Sequence, residues 1–488
     1  VTLQSGTLDC SPTSVMFQGN YSQSGGTFFH GSPSLTFDGT FTLTGGDFQK
    51  LPLGGSTITM NGDVFLNGGT FGASSFRTFI SNDFRINGTV FNHNNGTVIF
   101  NAPAASLVQV GTNQLVFNNV RFDSSLTTFL QTLDGTSWIT ANGSSQFRFG
   151  GFEKHPASPA IPSFRANGDV TMTDFSFNTL LSLRFEGTVD QTFTQTGGFN
   201  FNGWTVNKSS GTLLLAQDTT VDTLFLQKGT ITTNTNTLTP SNVSRTTGYV
   251  IGNLKFIFTA PSSRVFHVGT ATGYSPVTAN VTAVNLVQGA EDSLKIQAID
   301  GTAPSTPPLP NSTTLDRHWE ISESGDVTAD LTFSYLQTDV DGGEAAYNLI
   351  RTWPGVGPIS FPNGSPCPGV CSPCVDTAAN TILINGVVDF TDFWTAGAPT
   401  VPTSANATIT GRVVSTNGMG VGNVVMSLAG FDGTVRITRT NPFGYFRFFD
   451  VATGQTYVLS GTSKTHQVSA RTLTLASDIV DLEVTATP

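Results

Sequence analysis

The chain has 488 residues, room for about three domains on the usual size prior, and only 11% of them are charged against a typical quarter. Its net charge of −11 comes with no basic stripe, which excludes nucleic acid as a natural partner. No apolar run approaches the ~18 residues that a membrane-spanning helix needs.

Gly (52) and Phe (39) are plentiful, and short β-branched and aromatic runs alternate with Gly and Asn, which favours strands and turns over helices. Disorder is the alternative for so Gly-rich a chain, but 38% hydrophobic residues supply a core that a disordered segment lacks. The expected fold class is all-β. The first residue is Val1 and no signal-like stretch follows it, so a targeting segment or a larger N-terminal portion is expected to have been removed.

Taken in chain order, the first elements repeat. Val15-Met16-Phe17-Gln18-Gly19-Asn20-Tyr21 leads to Gly25-Gly26-Thr27-Phe28. The same frame returns at Leu35-Thr36-Phe37-Asp38-Gly39-Thr40-Phe41 and at Ile58-Thr59-Met60-Asn61-Gly62-Asp63-Val64, with a fainter copy from Leu183. Within each copy apolar and polar residues alternate, the mark of half-buried strands, and Gly marks the corners. One copy cannot bury its apolar face alone, whereas stacked copies share an interior. Residues 1–245 are therefore expected to form a β-solenoid of ~20-residue coils, roughly 12 of them, in a rod about 60 Å long. The stretch 102–180, with Pro103, Pro156, Pro159 and Pro162, fits the frame poorly and suggests insertions or a distorted middle. These Gly-Thr-rich coils resemble the β-helical repeats of large bacterial secreted and autotransporter-type surface proteins, a likeness of architecture more than of activity.

From about 246 to 400 the texture changes to more charge and Pro-rich loops, and a β-sandwich is expected. Gly269–Val277, Arg317-His318-Trp319-Glu320-Ile321 and Phe390–Thr395 together resemble a β-sandwich module found late in large bacterial surface proteins, which implies no known chemistry. Residues 401–488 carry Ile409-Thr410-Gly411-Arg412-Val413-Val414, Gly420–Leu428, Thr440–Phe448 and Gly454–Leu459. These strings resemble the carboxypeptidase regulatory-like domain, which implies a seven-stranded transthyretin-like sandwich used as a spacer or interaction unit.

Few residues point to chemistry. Asp339-Val340-Asp341-Gly342-Gly343-Glu344 alternates carboxylates around a glycine turn, and Asp339, Asp341 and Glu344 could offer oxygen ligands to Ca²⁺. A solvated acidic turn is the preferred reading, and no other cofactor is expected. His318 reads as a packing residue. The solenoid carboxylates are isolated at turns, without the clustering of a polysaccharide lyase or hydrolase, so no enzyme is expected. Cys367, Cys371 and Cys374 cluster while Cys10 stands alone in the first coil. Two disulfides fit the parity and an oxidising compartment, with Cys10 reaching the cluster only across subunits unless the middle module folds back along the rod.

The function expected from these readings is that of a non-enzymatic extracellular or cell-surface structural protein, self-associating head-to-tail into a fibre or coat. The alternative is the distal part of a large adhesin or glycan-binding stalk, with cell-surface glycans as partners.

Overall fold

In a computed structural model the chain is described at residues 1–488 except 12, 32, 52–54, 112–113, 135–137, 160–161, 178–181, 198–202, 286–290, 307, 354–355, 362–373, 399–406, 431–433, 454, 476 and 488. It divides into two units, Val1–Ala398 and Pro399–Pro488.

The first unit opens as a solenoid with three faces. Val15–Phe17, Tyr21–Gln23 and Thr27–His30 supply one strand each to the first, second and third faces. The next coils stack on them in parallel, with Val15 opposite Leu35 and Leu35 opposite Ile58, then Tyr21 opposite Phe41, and Phe28 opposite Phe48 and then Phe71. The sequence frame is thus one coil, and its three copies are three successive coils. The longer step from 35 to 58 places its extra residues in the corner between Lys50 and Thr57.

Alternation dictates what faces inward. Leu35 and Phe37 are fully buried, as are Phe41 and Leu43, while the residues between them are partly exposed. Because like residues stack at the ~4.8 Å strand spacing, aromatic side chains form columns. Phe28, Phe48, Phe71 and Phe91 are stacked with centroid separations of 4.7, 5.1 and 5.6 Å, and Phe117 meets Phe91 edge-on at 5.5 Å. At the corners Gly26, Gly46 and Gly69 take positive φ values of 66°, 80° and 71°. A Cβ on Gly69 would lie 2.3 Å from the Gly46 carbonyl oxygen of the coil below, so the corner needs both the conformation and the missing side chain.

The first face runs without interruption through the stretch that fits the frame poorly. Val98 pairs with Val120, Val120 with Ser145, Ser145 with Val170 and Val170 with Phe193, all parallel. Among the described residues the middle carries insertions and keeps the stacking. Its coils lengthen to 25 residues between positions 120, 145 and 170, which defeats a fixed-length frame but not the stacking. Leu183 falls elsewhere than its resemblance to Leu35 implies, since it stacks between Phe164 and Trp204 on a ladder that starts at Leu115. The copy at 183 is out of phase by one face, because every face offers the same short strand and corner.

Parallel stacking continues past position 245. Ile231 pairs with Val250, and Val250 with Val268. The strand Tyr249–Ile257 then changes partner type along its length, with Leu254 to Ile257 pairing antiparallel with Ser293 to Ile296. Ser293–Asp300, Arg317–Ser324, Asp392–Gly397 and Asn348–Trp353 follow as antiparallel neighbours. A second sheet containing Ser262–Phe266, Val277–Val284, Val327–Ser334 and Thr381–Val387 completes a β-sandwich. Its core holds Trp319 and Trp394 with Phe333, and Phe256 edge-on to Phe266. One apolar core extends from Cys10 to Ala396.

The second unit has a separate core around Ile409, Val413, Met426, Leu428 and Leu459. Its seven strands pair in the order Val435–Arg439, Val425–Gly430, Gln455–Thr462, Gln467–Leu475, Ile479–Thr487, Ala407–Ser415 and Tyr445–Val451.

Candidate binding sites

Cys10 is a free thiol, 7% exposed, in the interior of the first coil. Burial, then the neighbouring Asp9 carboxylate, raises its pKa and keeps it protonated, so the reactive thiolate is disfavoured and access is poor. A covalent link between subunits through Cys10 would require this buried thiol to become accessible. Cys374 is buried and disulfide-bonded. Cys367 and Cys371 lie outside the described residues.

The acidic turn is solvated at Asp341, Gly342 and Gly343 but not at Asp339. Asp339 is 5% exposed, and its carboxylate accepts from Arg317 Nε at 2.6 Å and Arg317 Nη2 at 3.0 Å. It also accepts from the Leu336 amide at 2.9 Å. Glu344 accepts from the hydroxyl of Tyr335 at 2.5 Å and from Gln337 at 3.3 Å. Asp341 is engaged through its backbone, which bonds with the Tyr347 hydroxyl. Among the described residues no group of three or more His, Cys, Asp and Glu side chains is arranged to hold a metal ion.

Arg317 is the hub of this region and is itself fully buried. Besides Asp339 it donates to Thr270 Oγ1 at 2.8 Å and Thr272 Oγ1 at 2.6 Å, and it lies 3.2 Å from Asp300. Both threonines in turn donate to Asp300. A buried guanidinium is tolerable only when its donors are satisfied in this way. The three strings of the middle module meet here: Trp319 Nε1 donates to Ser275 O, and Thr395 Oγ1 donates to Arg317 O. The Arg317 guanidinium is paired on every side by these groups, which suits a clamp. His318 is buried, with Nδ1 2.8 Å from Gly301 O, and burial lowers its pKa. This agrees with a packing role.

Three of the solenoid carboxylates pair with nearby arginines. Asp83 meets Arg85 at 2.8 Å, Asp123 meets Arg121 at 2.8 Å, and Glu186 lies between Arg184 and Arg165.

The second unit presents a surface that sequence reasoning missed. Tyr445, Arg447 and Phe449 alternate with buried Phe446 and Phe448, so strand pleating sends the first three to the outer face. Arg412 stands opposite Tyr445 and Thr410 opposite Arg447 on the neighbouring strand. Tyr445 is 51% exposed and Phe449 57%. The Arg412 guanidinium lies 5.3 Å from the Tyr445 ring centroid, and that of Arg447 lies 4.1 Å from Phe449. Val435–Arg439 runs alongside, where Arg436 donates to Phe449 O at 3.1 Å. Between these strands is a concavity of about 420 Å³ lined by Arg439, Asn441, Tyr445, Arg447, Phe449 and Asp481.

No family model matches this chain, and no curated protein matches it. Among solved structures the chain has a similarity to a bacterial adhesin from Mobiluncus mulieris containing intramolecular disulfide, isopeptide and ester bond cross-links, seen in two crystal forms. The identity is 8% over 47% of this chain and 96% of that one, with TM-scores of 0.13 and 0.12. Such low scores carry no argument about fold or function.

Proposed function

We propose that the chain is a non-enzymatic structural stalk of the extracellular surface. The observation that carries this reading is the unbroken parallel ladder from Val15 to Val268, ending in a strand that also belongs to the sandwich. A ladder of this kind is stiff along its axis, because every coil is hydrogen-bonded to both neighbours and packed through a shared interior. Twelve successive pairings at ~4.8 Å give a rod of about 58 Å, a spacer's dimension. The paired Arg317 cluster and the three arginine-paired solenoid carboxylates support a structural use of these charged residues. The disulfide at Cys374 supports an oxidising compartment.

Assembly into a fibre belongs to this reading, and with Cys10 buried non-covalent contact is its simpler form. The test is made on cells that produce the protein. Surface protease treatment of intact cells should remove it, and alkylation before reduction should leave Cys374 unmodified. Protection from protease together with an alkylated Cys374 would overturn the extracellular stalk.

A further inference from the structure

We infer that the outer face of the second unit, around Arg447 and its flanking aromatics, is a binding site for an anionic polysaccharide. The inference goes beyond the stalk reading and rests on residues 407–487 alone. Its first ground is the aromatic surface. Tyr445 and Phe449 are each more than half exposed on the outer face of one strand, where they flank Arg447.

The second ground is charge. Residues 399–488 carry six Lys and Arg against five Asp and Glu, so the chain's negative charge resides entirely in residues 1–398. Four of the six cations, Arg412, Arg436, Arg439 and Arg447, sit on the strands that frame the concavity. Among the described residues none of them forms an ion pair. Arg412, Arg436 and Arg439 are held by Phe443 O, Phe449 O and Asn423 Oδ1, while among the described residues Arg447 rests only on the Phe449 ring. Stacking orients a guanidinium while leaving its edge donors open to a carboxylate or sulfate.

The third ground is order. Outward residues on one strand recur every ~6.8 Å, so the series Tyr445, Arg447, Phe449 offers ring face, cation, ring face along a line. A polymer of sugar rings bearing acid groups presents the complementary series. The concavity, about 420 Å³, is of ligand-binding size.

The experiment uses the full chain in a surface-binding assay with three probes: polygalacturonate, dextran sulfate and unmodified dextran. Binding to one or both anionic probes but not to dextran is expected, and which of them binds identifies carboxylate or sulfate as the recognised group. Arg447→Gln should weaken it roughly tenfold, the loss of one charge-assisted contact. Tyr445→Ser with Phe449→Ser should weaken it at least as much. Both positions are on the surface, and an unchanged thermal midpoint of the second unit would verify that the variants fold. No binding to either anionic probe, or equal binding by wild type and variants, would overturn the site. So would self-association of the chain that Arg447→Gln abolishes without any polysaccharide binding, which would assign the face to a second copy. Failure here leaves the stalk reading intact, since neither the ladder nor Cys374 enters the assay.

Discussion

His30 lies in the solenoid interior with no exposed surface, its Nε2 donating to Gly72 O at 2.9 Å. Burial is the main reason its pKa is pushed down to about 4; the Gly72 bond opposes this and the Lys50 charge adds to it. An unfolded chain protonates the same imidazole near 6.5. Between these values the unfolded state binds a proton that the folded state refuses, so stability is full above about pH 6.5 and declines as pH falls to about 4. The ceiling on this one contribution is ~3 kcal/mol. His267, also held near 4 by burial and by the Arg245 charge, acts with the same sign through a partly exposed ring. His30→Gln should flatten the dependence of the thermal midpoint on pH between 7 and 5; an unaltered slope would show that His30 is protonated at no cost. At Arg317 the argument is about pairing. Arg317→Ala strands Asp339 in a dry site, and a loss of about 3–5 kcal/mol is expected from such a broken buried pair. Chemical denaturation of the first unit measures it, and Arg317→Ala with Asp339→Ala should recover part of the loss.

At the scale of single elements, the corner glycines and aromatic columns decide which strands can stack. Gly69→Ala must adopt φ 71° and meet the Gly46 carbonyl, so a destabilisation of at least ~2 kcal/mol is expected by near-ultraviolet dichroism of the aromatic columns on heating. Glycine corners and alternation were legible in the sequence because each is a local rule, and they placed three coils correctly. Phase was not legible: Leu183-Arg184-Phe185 looks like Leu35-Thr36-Phe37 although it occupies a different face. Coil lengthening was legible only as a misfit: Pro103, Pro156, Pro159 and Pro162 pointed to insertions, but not to coils of 25 residues that preserve the pairing. The burial of Asp339 was not legible, because Arg317 lies 22 residues upstream and only the fold brings it to Asp339. The run Tyr445-Phe446-Arg447-Phe448-Phe449 hid the outer face, because an almost continuous aromatic string does not reveal which alternate residues are covered.

For the whole molecule, the separate cores of Val1–Ala398 and Pro399–Pro488 imply separate cooperative units. Calorimetry should show two transitions, the larger belonging to residues 1–398, and Gly69→Ala should shift that one alone. A single transition that moves as a whole in this variant would contradict the division. The strand Tyr249–Ile257 gives the first unit a direction as well as a continuity. Coils contact only their neighbours, so a coil forms more readily on a surface already laid down. The sandwich, tied together by antiparallel pairings and the Arg317 clamp, offers such a surface at one end through that shared strand. Folding would then nucleate there and wind coil by coil away from it, with the sandwich acting as the template that sets register for every rung that follows.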